Sequence, residues 1–208
     1  MLKLPVIVAL AAASLAIAAS VEQRAISSTH TATFNELEAN YFIEPDTTPI
    51  GFYGGLYYKL IYSFQGDGPI DGTVFASSGV VMAVAINGTR PYITSRYRNS
   101  GITSFDFKSL NLACSAGLNF GIPGTFVSYS GASCNITITG YKGTIKTAQQ
   151  TIRYTAIGDF LDGWRTIPVR LDATFTGVDT VRFRATYELV PDYTEYGIHM
   201  DDVKYVFH

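Results

Sequence analysis

The sequence predicts an all-β protein in which two antiparallel sheets pack face to face. Three observations lead there. Tyr, Phe and Gly number 14, 13 and 19 among 208 residues, with Thr, Val and Ile frequent throughout, a composition of strands and tight turns. Short segments alternate apolar and polar side chains with period two, as half-buried strands do. Between them stand turn signals such as Gln65-Gly66-Asp67-Gly68-Pro69, Asn87-Gly88, Gly121-Ile122-Pro123-Gly124 and Gly140-Tyr141-Lys142-Gly143.

In chain order, the expected strands cover residues 56–62, 80–86, 135–139, 169–175, 180–187 and 202–207. In 180–187, Val181, Phe183, Ala185 and Tyr187 face one way while Arg182, Arg184 and Thr186 face the other, so one face meets a core and the other meets water. Residues 146–153 are the one helix candidate, although their Thr-rich composition fits another strand as well. No composition shift marks a second domain, and no repeat occurs.

Hydrophobic residues make up 47% and charged residues 15%, so the chain has ample side chain for a core and too little charge for disorder. With 15 basic and 17 acidic residues and no run of like charge, nothing forms an electrostatic footprint for a phosphate backbone, and nucleic acid is not an expected partner. Met1-Leu2-Lys3, an apolar run to Ile17 and Ala16-Ile17-Ala18 form the pattern of a secretory leader. That run is too short to cross a bilayer and no later segment competes, so no membrane span is expected. The expected organisation is a signal peptide at 1–19, a flexible tail at 20–30 and one domain at 31–208 of a secreted, extracellular protein. Export through an oxidising compartment makes Cys114 and Cys134 an expected disulfide. Asn87-Gly88-Thr89 and Asn135-Ile136-Thr137 are acceptor sequons if the source is a eukaryote.

The order of several segments carries a resemblance: Phe34-Asn35-Glu36-Leu37, then residues 49–58, then 104–112, then Ile136-Thr137-Ile138-Thr139-Gly140-Tyr141-Lys142-Gly143, and finally Met200-Asp201-Asp202-Val203. Over roughly 31–208 the chain resembles secreted jelly-roll β-sandwiches of the galactose-binding-domain-like type, a group that contains many carbohydrate-binding modules. The leader, paired cysteines and sequons fit a filamentous fungus. The resemblance implies a structural calcium ion held between the first and last strands. Glu36 and Glu38, expected on one face of the first strand, and Asp201 or Asp202, expected to point oppositely just before the last, are the matching acids. Equally, these acids read as solvated surface groups.

Sugar recognition uses aromatic faces with a few polar groups that fix orientation. Tyr53, Tyr57, Trp164, Tyr193 and Tyr196 are the loop-like aromatics, though a lone Trp also serves as a packing residue. A glycosidase needs two carboxylates with separated pKa values, and Asp159, Asp162, Glu188 and Glu195 offer acids without a spacing that singles out a pair. His30, His199 and His208 lie apart with no GxSxG elbow, which argues against a serine hydrolase. The expected function is therefore non-catalytic recognition of a glycan or cell-surface ligand. The alternatives are a secreted structural or host-directed effector scaffold and, behind it, a glycoside hydrolase.

Overall fold

The computed structural model describes residues 28–39, 48–65, 74–86, 89–118, 127–159, 163–188 and 195–208. The expected signal peptide, Tyr193 and Asn87 lie outside them. Among the described residues the strands are β1 (Thr29–Ala32), β2 (Gly51–Tyr53), β3 (Leu56–Lys59), β4 (Tyr62–Gln65), β5 (Val74–Phe75), β6 (Val81–Ile86), β7 (Tyr92–Thr94) and β8 (Phe105–Leu118). They continue with β9 (Val127–Gly131), β10 (Cys134–Lys142), β11 (Ile145–Tyr154), β12 (Gly158–Asp159), β13 (Gly163–Arg165), β14 (Ile167–Arg170), β15 (Thr180–Tyr187) and β16 (Glu195–Phe207). The chain is an all-β jelly-roll sandwich with one disulfide.

One sheet has seven strands, built on the path β14-β8-β16-β6-β4, with β1 on β16 and β9 on β8. The other has six, in the order β11-β10-β15-β7-β3-β2, and a small sheet β12-β13-β5 adds one parallel pairing. The two large sheets face each other across a continuous core. Val181, Phe183, Ile136, Ile138 and Ile93 come from the six-stranded side, and Phe107, Leu112, Ile198, Met200 and Tyr205 from the other. Phe107 meets Phe183 edge-on with ring centroids 6.2 Å apart, the geometry that aromatic quadrupoles favour. The disulfide Cys114–Cys134 ties β8 to β10, one strand from each sheet.

Local conformations revise several expected boundaries. The 56–62 segment is two strands, β3 and β4, because Leu60 takes a left-handed backbone (φ 56°) that ends the first pairing. The 169–175 segment splits as well. Asp172 accepts from the Thr174 N–H (3.0 Å), and Ala173–Phe175 winds into a 3-10 turn after β14. The helix candidate at 146–153 is part of strand β11, whose ten residues pair with β10. The tail ends earlier than expected, since Thr29 and His30 belong to β1 and pair with Val206 and Tyr205 of β16. Finally, Glu36 and Glu38 follow β1 in a turn begun by Phe34 (φ 61°), so they are not on a strand face.

The seven-stranded sheet is buried on both sides in its centre. On the face opposite Cys114, His199 is fully buried, with Nε2 2.7 Å from Ser115 Oγ and Nδ1 3.1 Å from Met82 Sδ. Burial lowers its imidazole pKa to about 3, so the folded protein keeps it neutral.

Two outcomes follow from this packing. The bridge closes a loop with a sequence separation of 20, so replacing both cysteines by Ala should lower unfolding free energy by about 3 kcal/mol in urea titration without changing the fold. His199 gains a proton near its ordinary pKa of 6.5 only when unfolded, so its contribution to stability is present above pH 6.5 and is lost progressively towards pH 3. Melting temperature should therefore fall between pH 6.5 and 5, and His199→Gln should flatten that slope while lowering the plateau. Parallel slopes for the two proteins would exclude His199 as the titrating group.

Candidate functional site

Because the seven-stranded sheet is closed on both faces at its centre, the outward face of the six-stranded sheet is the open strand surface among the described residues. Its residues follow from alternation. On β15 and β10, Val181, Phe183, Ile136 and Ile138 point inward, which turns Arg182, Arg184, Thr137 and Thr139 outward. Pairing registers then align them in rows. Lys59, Tyr92, Arg182, Thr139 and Gln149 lie in one row across five strands, and Phe52, Tyr57, Thr94, Thr180, Tyr141 and Lys146 form the next. Arg184, Thr137 and Thr151 make a third row, and Thr186, Asn135 and Arg153 a fourth.

An open groove of about 1190 Å³ runs over this face, bordered by Arg90, Asn135, Thr137, Gln149, Arg182 and Arg184. A smaller one of about 500 Å³ adjoins it, with Tyr92, Thr94, Arg96 and Tyr141 in its wall. The Arg182 guanidinium sits 4.8 Å from the Tyr141 ring centroid and Lys59 Nζ 5.6 Å from that of Tyr92. Hydroxyls pair across strands, Thr94 with Thr180 at 2.9 Å and Thr137 with Thr151 at 3.3 Å. No described carboxylate lines either groove. The surface therefore offers hydroxyls, an amide pair and cations, the groups that bind polyhydroxylated or anionic ligands. A pair of acids for hydrolysis is not among them.

The aromatics expected from sequence scatter. Tyr57 faces outward, stacked obliquely on exposed Phe52 (centroids 4.8 Å), and Tyr196, though buried, borders the larger groove beside Tyr187. Tyr53 lies at the far edge, where its hydroxyl donates to Glu36 Oε1 (2.7 Å) and accepts from the Phe34 N–H (3.0 Å). Trp164 packs its indole on Gly131, where a Cβ would collide with the ring. It is a packing residue of β13. Tyr193 lies outside the described residues. Missing from that set were Tyr92, Tyr141, Arg182, Arg184 and Gln149. The alternation of β15 placed its arginines in water but gave no sign that neighbouring strands align polar partners with them.

The proposed calcium ligands also separate. Glu36 is bonded to Tyr53, and Glu38 is engaged through its backbone carbonyl, which accepts from Ser63 Oγ (2.7 Å). Asp201 and Asp202 do meet, because a bulge in β16 turns two consecutive side chains toward the same loop. Asp202 has φ 47° there. Asp201 Oδ2 accepts from the N–H groups of Ser77 and Ser78, both at 2.8 Å, and from Ser77 Oγ at 2.7 Å. Asp202 Oδ2 accepts from Ser77 Oγ and Asn111 Nδ2. Asn35 holds the same loop from the first element, its Oδ1 receiving Val80 and Val81 N–H. First and last elements thus meet as the resemblance implies, but through N–H donors. Among the described residues, no three acids, histidines or cysteines gather around one point. Burial raises the Asp201 carboxyl pKa, against the hydrogen bonds from Ser77, Ser78 and Asp202 that pull it down.

Asp201→Ala strands those buried donors and should cost about 3 kcal/mol in urea titration. Calcium stays a proposal that rests on the resemblance alone, and melting with excess Ca²⁺ and with chelator decides it. A rise of several degrees with Ca²⁺ would support an ion at this junction, and no shift would rule it out.

Comparisons with known proteins agree with the fold. No family model matches the chain, and no curated protein matches it. The architecture is similar to the crystal structure of a DUF4465 family protein from Bacteroides caccae, with a TM-score of 0.53 and 16% identity over 87% of this chain and 100% of that one. A structure of the CBM22-1 and GH10 modules of endo-1,4-β-D-xylanase 10B from Clostridium thermocellum, complexed with xylohexaose, aligns with a TM-score of 0.34 and 13% identity. That alignment covers 86% of this chain and 28% of that one, a likeness too distant to bear on function. The first similarity establishes a shared β-sandwich fold.

Proposed function

We propose that the protein is a secreted, non-catalytic binding protein that recognises a glycan on the outward face of the six-stranded sheet. The observation that carries this reading is the row Lys59, Tyr92, Arg182, Thr139 and Gln149, which sets donors, acceptors and aromatic edges side by side over an open groove. Such a groove suits an extended chain with many hydroxyls. Secretion is supported by the leader pattern and by the Cys114–Cys134 bridge, which oxidising compartments maintain. Among the described residues no helix is long and apolar enough to cross a membrane. Among the described residues no carboxylate lines the groove walls and Glu188 is engaged with Arg153, which favours binding over hydrolysis.

A scaffold role in contacting protein is favoured by one observation, the exposed cluster of Phe52, 66% accessible, with Tyr57 and Tyr97 at the β2 edge. Asn135, exposed on the same face as the groove, would carry any attached glycan into it, so intact mass must accompany the binding test.

Native electrophoresis through gels containing soluble polysaccharides checks the reading. At least one polysaccharide should retard the protein, Gln149→Ala should reduce that retardation several-fold, and Phe52→Ala should leave it unchanged. Retardation lost with Phe52→Ala and kept with Gln149→Ala would move the site to the β2 edge.

A further inference from the structure

The charge on the groove narrows the ligand class, an inference that rests on the glycan reading above. We propose that the ligand is a polyanionic glycan, a polyhydroxylated chain bearing carboxylate or sulfate groups. The whole chain is slightly acidic, with 15 basic against 17 acidic residues. Even so, Lys59, Arg90, Arg96, Arg182 and Arg184 are exposed on or beside this one face. None of the five forms an ion pair with a described acid. The acids flanking β15 are committed elsewhere: Glu188 pairs with Arg153, and buried Asp179 accepts from the Gly143 N–H and from Thr180 Oγ1.

Clustered like charges repel one another and are retained at a cost unless an anion offsets them. Guanidinium forks also match carboxylate and sulfate oxygens in pairs, which lysines alone do not. The rings tell the same story, because Tyr141 is covered by Arg182 and Tyr92 by Lys59. On these two rings a cation occupies a position that a pyranose or a nucleobase would take in stacking. Beside these cations a ligand meets the hydroxyls of Thr137, Thr139 and Thr151.

The test uses the intact disulfide-bonded protein in native gels containing polygalacturonate, heparin or neutral xylan, with single-stranded DNA as competitor. Retardation by polygalacturonate or heparin and not by xylan is expected, and it should weaken as NaCl is raised. R182Q and R184Q should each weaken it on the order of tenfold, the loss of one charge-assisted hydrogen bond, while R184K, which keeps the charge but not the fork, should fall between R184Q and the parent protein. Both arginines are exposed, so unchanged melting temperatures will show that the variants fold. Retardation by xylan that R182Q and R184Q leave untouched would overturn the polyanion inference and keep the glycan reading. Competition by DNA at equal charge concentration would overturn it in favour of nucleic acid. No retardation by any polysaccharide would overturn both.

Discussion

The register of β15 between β10 and β7 is the constraint on which the candidate binding face depends. Because side chains alternate with period two, slipping β15 by one residue would bury Arg182 and Arg184 and expose Val181 and Phe183. Desolvating two guanidinium groups without partners is expensive enough to forbid that arrangement. The same preference that fills the core therefore aims the arginines outward. Flanking pairings then set Thr139 and Tyr92 beside Arg182. Core and site are two faces of one pairing decision.

The opposite sheet has the complementary task of closing the sandwich. Long strands β8 and β16 share an extended ladder, and each changes its outer neighbour midway, β16 passing from β6 to β1 and β8 from β14 to β9. Where β16 changes partner, its ladder is interrupted and the Asp201 carboxylate takes the N–H groups of Ser77 and Ser78. A side chain thus supplies the acceptors that a missing strand would have provided. The Asp201 carboxylate thereby ties the Ser77 loop to the strand junction through the protein's own donors.

Much of the fold was legible in the sequence because it depends on local alternation. β15 fell where the pattern put it, and Cys114 and Cys134 are bridged as expected. Errors came where backbone conformation overrides pattern. Leu60 and Phe34 adopt left-handed backbones that few apolar residues visit, so the strands they end read as continuous. The β16 bulge put Asp201 and Asp202 on one side, against the alternation expected of them. The site was harder to read. Loop aromatics drew attention because single residues can be recognised in a sequence, whereas a row such as Lys59, Tyr92 and Arg182 unites residues more than a hundred positions apart. Only the strand order brings them together.

Arginines that look like a solvated strand face when read alone stand beside two tyrosines and a band of threonines, the surface proposed to select a polyanionic glycan. Backbone amide mapping by NMR during titration with an oligogalacturonate tests that claim most directly. A ligand seated on this face gives the largest shifts at residues 92–94, 137–141 and 180–186, with small ones around Ser77 and Asp201. Shifts centred on the Ser77 loop or the Phe52 edge, with β10 and β15 silent, would contradict it.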